Sequence, residues 1–308
     1  MKAKRIFIRV SAGILLVCFS YFVFVYYSKF QEIKKQKLLY EARKNAWGSL
    51  REKLTNEIKL FKGEVAFVIK DLQTNWEISH NKNMLFPSAS LAKIPIMAAC
   101  FLADQEGKLK LDRIIALKTS DKLTGSGILR DIQAGATFTV EELIGLMIYD
   151  SDNTATNILT NVLGIDYLNR SFEAFGLQNT TLSRKIADFN ARDKGIENYT
   201  TAEDMALLLE KIYQRGFISK DISERCLRLM KLSRTNDRIP ALLPVEITVA
   251  HKTGLERGVC HDAGIVYAGK GNFLIVVLTK YTNSNSAPSK EFIAKVSLRT
   301  YNYFEQLP

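Results

Sequence analysis

Strand-like segments stand at both ends of the globular part of this chain, and helical ones fill the space between them. Residues 64–71 and 75–79 read as two strands joined through Leu72-Gln73-Thr74-Asn75. Residues 259–268 and 272–281 repeat the pattern around Gly269-Lys270-Gly271, and a last helix is expected over 289–304. Residues 90–232 carry mostly helical periodicity, with Thr139-Val140-Glu141-Glu142 as a capping box that opens one clear helix. Strands far apart in sequence must pair to cover their edges. The chain is therefore expected to be α+β: an antiparallel sheet flanked by N- and C-terminal helices, with an all-helical lobe inserted between the sheet's two halves.

Charge separates this body from what precedes it. Of the 43 Lys and Arg and 32 Asp and Glu, residues 1–62 hold 14 and 4, leaving 29 against 28 for residues 63–308. A near-neutral body excludes nucleic acid as a partner on electrostatic grounds. The basic part opens with Lys2, Lys4, Arg5 and Arg9, followed by an 18-residue apolar run over 10–27. That length predicts a transmembrane helix preceding the body and attachment to the cell membrane. The expected organisation is a short basic segment (1–9), a single-pass anchor (10–27), a basic helical stalk (28–47) and the globular body (48–308). Trp47, Leu50, Leu54, Ile58 and Phe61 fall at helical spacing and read as a docking face. Lysines flank both sides of the apolar run, so charge alone does not orient it.

With Cys18 inside that run, Cys100, Cys226 and Cys260 form an odd set without paired spacing and do not disclose a redox compartment. His80, His251 and His261 lack metal-ligand spacing and read as surface or structural residues. No metal or other cofactor is expected.

Three short stretches carry chemistry. Ser90 and Lys93 lie one helical turn apart in Phe86-Pro87-Ser88-Ala89-Ser90-Leu91-Ala92-Lys93, a hydroxyl beside an amine that burial can turn into a base. Ser151-Asp152-Asn153 sits on a connection between two helices and places polar side chains there. Lys252-Thr253-Gly254 follows the strand-like 247–251 and offers a cation, a hydroxyl and a residue without side-chain bulk. Taken singly, these are a helix cap with a solvated lysine, an ordinary helix start and a turn after a strand.

Together, in this order and 61 and then 101 residues apart, they resemble the motif set of the class A β-lactamases and related penicillin-recognising serine hydrolases. The resemblance covers roughly residues 48–305 and includes Phe86-Pro87, Thr200-Thr201, Asp204-Met205-Ala206 and Ile239 to Pro244. It implies the β-lactamase and D,D-peptidase fold and four catalytic residues. Ser90 would attack an amide carbonyl with Lys93 as base, while Ser151, beside Lys252, would pass a proton to the leaving nitrogen. It also implies substrate-binding residues: Asn153 for the side-chain amide, Thr253 with Lys252 for the carboxylate, and Gly254 to let substrate lie along the backbone. The backbone N–H groups of Leu255 and Ser90 would form the oxyanion hole, and Asn190 would belong to the loop beside it.

One departure matters. The family loop reads Arg-x-Glu-x-x-Leu-Asn, and its glutamate activates the water that hydrolyses the acyl-enzyme. Here Arg184-Lys185-Ile186-Ala187-Asp188-Phe189-Asn190 keeps the arginine and asparagine but has Ile186 in the glutamate's place. Isoleucine cannot accept a proton, and Asp188 or Glu197 would replace it only in a rearranged loop. The resemblance thus implies a membrane-anchored β-lactamase-like serine hydrolase with slow deacylation. The alternatives are a D,D-carboxypeptidase acting on peptides that end in D-Ala-D-Ala and a non-hydrolytic penicillin sensor. The substrate class implies a domain on the extracytoplasmic side; a monomer is expected, although the sequence does not determine the oligomeric state.

Overall fold

A computed structural model describes the backbone of residues 2–282 and 285–307, and the side chains from Phe19 onward within those limits. The chain divides into two compact units, Met1–Arg51 with Leu307–Pro308, and Glu52–Gln306. The first unit is most of one continuous helix, α1 (Lys2–Leu60). The expected transmembrane segment is corrected here. Among the described residues no helix is long and apolar enough to cross a membrane. Phe19–Tyr27 is the apolar part whose side chains are described, and the helix then turns charged at Lys29. Lys29, Glu32, Lys34, Lys35 and Lys37 follow within about three turns, too many charges for a hydrocarbon core. The side chains of residues 10–18, Cys18 among them, lie outside the described set.

The second unit opens with the last turns of α1, where Leu54 is buried and the Phe61 ring lies 4.8 Å from that of Phe292. There follow β1 (Glu64–Asp71), β2 (Glu77–His80), β3 (Phe86–Pro87), a 3-10 turn (Ala89–Ala92) and α2 (Lys93–Gln105). The helical lobe contains β4 (Ile114–Ala116), β5 (Thr137–Thr139), α3 (Val140–Tyr149), α4 (Asn153–Leu163) and α5 (Ile165–Ala174). After it come α6 (Phe189–Asp193), β6 (Tyr199–Thr200), α7 (Ala202–Tyr213) and α8 (Lys220–Lys231). The chain returns to the sheet with β7 (Thr248–Glu256), β8 (Val259–Ala268) and β9 (Gly271–Lys280), and closes with α9 (Ala287–Glu305). The capping box forms as read: Thr139 Oγ1 accepts from Glu142 N, and Glu142 Oε2 accepts from Thr139 N at 2.7 Å.

The sheet order is β2-β1-β9-β8-β7, antiparallel at every pair. β1 and β9 pair over their length, from Glu64↔Lys280 to Asp71↔Phe273, which joins the two sequence ends of the unit. Both faces of β9 are covered. Leu274, Val276 and Leu278 enter the core shared with the helical lobe, whereas Phe273, on the opposite face, stacks on Phe304 of α9 at 5.1 Å. Double coverage explains the near-continuous apolar run of this strand. Lys252-Thr253-Gly254 lies within β7, not in a turn after a strand, and β7 is the sheet's edge. Cys100, Cys226 and Cys260 are buried free thiols, and burial pushes the first two up to about 12.

Candidate active site

Ser90 sits in the 3-10 turn that leads from β3 into α2. β3 is held by β6, with Phe86 opposite Thr200 and Pro87 opposite Tyr199. Ala89, just before the serine, has φ +45°, a left-handed conformation that a residue with a Cβ adopts only under constraint from its surroundings. Ser88 supplies no side-chain cap, but its N–H donates to Asn198 O at 2.8 Å.

Lys93 opens α2 and is fully buried. Its Nζ donates to Ser151 O (2.6 Å), to Ser151 Oγ (3.2 Å) and to Asn153 Oδ1 (2.8 Å). Ser151, at φ +53°, bridges α3 and α4, and Asp152 fixes that bridge. The Asp152 carboxylate caps α4 by accepting from Ala155 N at 2.8 Å and also accepts from Leu129 N at 2.8 Å. From β7, Lys252 Nζ donates to Ser151 Oγ (2.9 Å) and to Thr253 O (2.9 Å). The Ser151 hydroxyl therefore stands between two lysine nitrogens from two elements.

Electrostatics sets the proton inventory. Burial, reinforced by the nearby Lys252 charge and opposed by Asp152, holds Lys93 well below the ordinary lysine value. In its neutral form, which burial makes easier to reach, the amine has two N–H donors for Ser151 O and Asn153 Oδ1 and a lone pair for a hydroxyl proton. Burial also lowers Lys252, to about 7, with Asp262 opposing and Arg238 adding to the shift. Asp262 in turn holds His251 Nδ1 at 2.9 Å and accepts from Ile239 N at 3.0 Å.

The cleft beside these groups spans about 430 Å³, part of it open to solvent, and is lined by Ser90, Ser126, Asn153, Ile186, Leu255 and Glu256, among others. Gly254 places β7 against the Ser90 turn, since a Cβ on it would lie 3.4 Å from Ala89 Cβ. Asn190 is not brought to the site. It is exposed on α6, whose start is capped by Asp188 accepting from Ala191 N at 3.0 Å. Asn157 and Asn198 hold the loop instead. Asn157 binds both Ile186 N and Ile186 O at 3.0 Å, and Asn198 accepts from Ser183 N and Arg184 N.

Arg184 donates from Nε and Nη2 to Glu197 Oε1 (3.0 and 2.7 Å) and from Nη2 to Glu256 (3.2 Å). Arg192 Nε lies 3.1 Å from Glu197 Oε2. Glu197 is thus committed to two arginines, and Asp188 to a helix cap. Neither carboxylate is held as a free base. Sequence reasoning missed Ser126, Asn157, Asn198 and Glu256. The only local signals for them were the Gly125-Ser126-Gly127 turn and the position of Glu256 directly after the Lys-Thr-Gly strand.

Residues 49–304 match the model of the β-lactamase enzyme family. The chain belongs to that family. VEB-1, a β-lactamase of Pseudomonas aeruginosa, is 24% identical over 94% of this chain and 97% of its own length. A β-lactamase of Sphaerobacter thermophilus superposes with TM-score 0.77 at 27% identity, covering 85% of this chain and 99% of that one. PBP-A superposes with TM-score 0.77 at 29% identity, covering 84% and 97%. A leucine-to-glutamate mutant of PBP-A, solved as an acyl-enzyme with penicillin G, matches equally well. The chain is an enzyme of the β-lactamase type, and its α+β body is the fold of that family.

In this β-lactamase-family chain the buried Arg184 and the half-buried Arg192, Glu197 and Glu256 balance one another. Removing the Glu197 charge leaves two arginines with one shared carboxylate. Glu197→Gln is expected to destabilise the protein by roughly 3 kcal/mol, a fall of about 6 to 12 °C in Tm by calorimetry. A variant that melts with the wild type would show that the network contributes nothing to stability.

Proposed function

We propose that this enzyme opens β-lactam amides through a covalent intermediate on Ser90. The observation that carries the reading is the buried Lys93 amine, one turn after Ser90 and hydrogen-bonded to Ser151 and Asn153. In the proposed reaction Ser90 Oγ attacks the lactam carbonyl while its proton passes to Lys93 Nζ. The C–N bond then breaks, and the nitrogen takes a proton through Ser151 Oγ, which the Lys252 ammonium polarises. Lys252 and Thr253 bind the substrate carboxylate, Asn153 binds its side-chain amide, and the N–H groups of Ser90 and Leu255 stabilise the oxyanion. The substrate class supports a site of action outside the cytoplasm.

Deacylation is proposed to be the slow step. Ile186 lines the cleft where the family glutamate is expected, and Asn157 clamps its backbone in place. The same observation supports a second reading, a D,D-peptidase whose acyl-enzyme with penicillin is long-lived, and the likeness to PBP-A supports it too.

Full-length protein should be labelled covalently by a fluorescent penicillin, and Ser90→Ala should abolish labelling. A labelled Ser90→Ala protein would refute the assignment.

Stopped-flow hydrolysis of nitrocefin should show a burst of one equivalent per enzyme followed by a slow steady rate. Loss of base catalysis typically costs about 10²- to 10⁴-fold, so Ile186→Glu should raise the steady rate at least about tenfold. Rapid turnover without a burst in the wild type would mean that another group activates water.

Acylation efficiency should fall as pH rises through about 7, because the Lys252 ammonium that attracts the substrate carboxylate is lost there. Lys252→Arg, charged at all working pH, should remove that basic limb even if its maximum is lower. An unchanged limb in Lys252→Arg would assign the titration to another group.

A further inference from the structure

The amides of Ser90 and Leu255 belong to different elements, a 3-10 turn and the edge strand β7, and none of the three motifs explains what holds them in register. One side chain touches the supports of both. His261 lies on β8 directly opposite Gly254 and is fully buried. Its Nε2 is 2.9 Å from Pro87 O, and its Nδ1 accepts from Thr279 N at 3.2 Å. A backbone N–H can only donate, so Nδ1 is unprotonated and the Nε2–H donates to Pro87 O. The Phe86 ring meets the imidazole edge-on at 5.9 Å. A Cβ on Gly254 would lie 3.4 Å from both His261 and Ala89, so imidazole, glycine strand and nucleophile turn are packed together.

The turn needs such support. Ser88 gives it no side-chain cap, its Oγ is buried without a hydrogen bond, and Ala89 holds a left-handed φ without being glycine. A conformation of that kind persists only when its surroundings impose it. Beyond the pairing of β3 with β6, the entering chain is tethered by Ser88 N–H to Asn198 O and by the imidazole on Pro87 O. Burial lowers His261 to about 4, against the opposing pull of its backbone bonds to Pro87 and Cys260 and with a smaller lowering from Arg238, so the neutral donor persists at working pH.

We infer that His261 is a positioning residue that sets the Ser90 turn against the Gly254–Leu255 edge of β7, and with it the spacing of the two amides that face the acyl oxygen. The inference rests on the reading of those amides as the oxyanion donors. A glutamine at 261 can carry an amide N–H to the place of Nε2, whereas the shorter asparagine reaches only the place of Nδ1. A filler of the interior would make the two equivalent. A tether to Pro87 makes them different.

The test is pre-steady-state acylation of full-length wild type, His261→Gln and His261→Asn by a fluorescent penicillin, resolved into an affinity and a limiting rate, with Tm measured for each. His261→Asn should lose about 10- to 100-fold in the limiting rate with affinity within about threefold, since an oxyanion donor acts on the transition state. His261→Gln should stay within about fivefold of the wild-type rate, although the two variants melt within a few degrees of each other. Equal rates in the two variants, or a loss confined to affinity, would overturn the inference. Nitrogen NMR of the wild-type imidazole tests it without substitution: a proton on Nε2 is expected, and a proton on Nδ1 refutes the tether. A wild type that takes no label refutes the acylation reading itself, whereas a labelled wild type with indistinguishable variants refutes only the role of His261.

Discussion

A lysine amine cannot lie in a protein interior as an unpartnered cation, and the arrangement around Lys93 is governed by that constraint. Three oxygens surround its Nζ, two from Ser151 between α3 and α4 and one from Asn153, which opens α4. Their placement depends on Ser151 taking a left-handed φ and on Asp152 capping α4 while holding Leu129. The helical lobe therefore reaches the nucleophile turn through one buried amine. Burial also has a chemical consequence, because lowering the amine's proton affinity makes its unprotonated, basic form easier to reach.

The second support is the sheet. Pairing of β1 with β9 closes the body, and β8 and β7 then build outward to an edge. That edge is the place where a substrate backbone can be met, because its outer side has no strand neighbour among the described residues. Lys252 projects from it to Ser151, so the hydroxyl is addressed from the lobe and from the sheet at once. Three of the seven described non-glycine residues with positive φ, namely Ala89, Ser151 and Ala187, the residue after Ile186, lie at the same junction. The loop that carries Ile186 is held by Asn157, Asn198 and the Arg184, Arg192, Glu197 and Glu256 charges, so its shape is maintained without a proton acceptor at position 186.

The strands of both sheet halves, the capped helix and the three motifs were legible in the sequence, since each is encoded by local periodicity or by side-chain type at fixed spacing. β1 and β8 fall where the pattern placed them, and the Thr139 box forms as written. Other points were not local. Asn190 matches a family position in sequence yet faces solvent, because Asp188 starts a short helix there and turns it outward. Glu197 read as a spare carboxylate until its arginine partners came into view. An apolar run of spanning length predicted a membrane helix, whereas no helix among the described residues meets that requirement.

What the sequence determined by itself was chemistry: a hydroxyl and an amine one turn apart, a second hydroxyl, a second amine, and the isoleucine where a carboxylate was expected. Those are properties of residue type and short spacing, which no folding step can alter. Only the tertiary structure decided which charges are spoken for, which side chains face the cleft, and that a histidine read as merely structural touches both supports of the reacting centre. Those facts depend on distances between residues far apart in sequence, such as Glu256 to Arg184, 72 positions apart, and His261 to Pro87, 174 apart. Only long-range pairing and packing fix such distances.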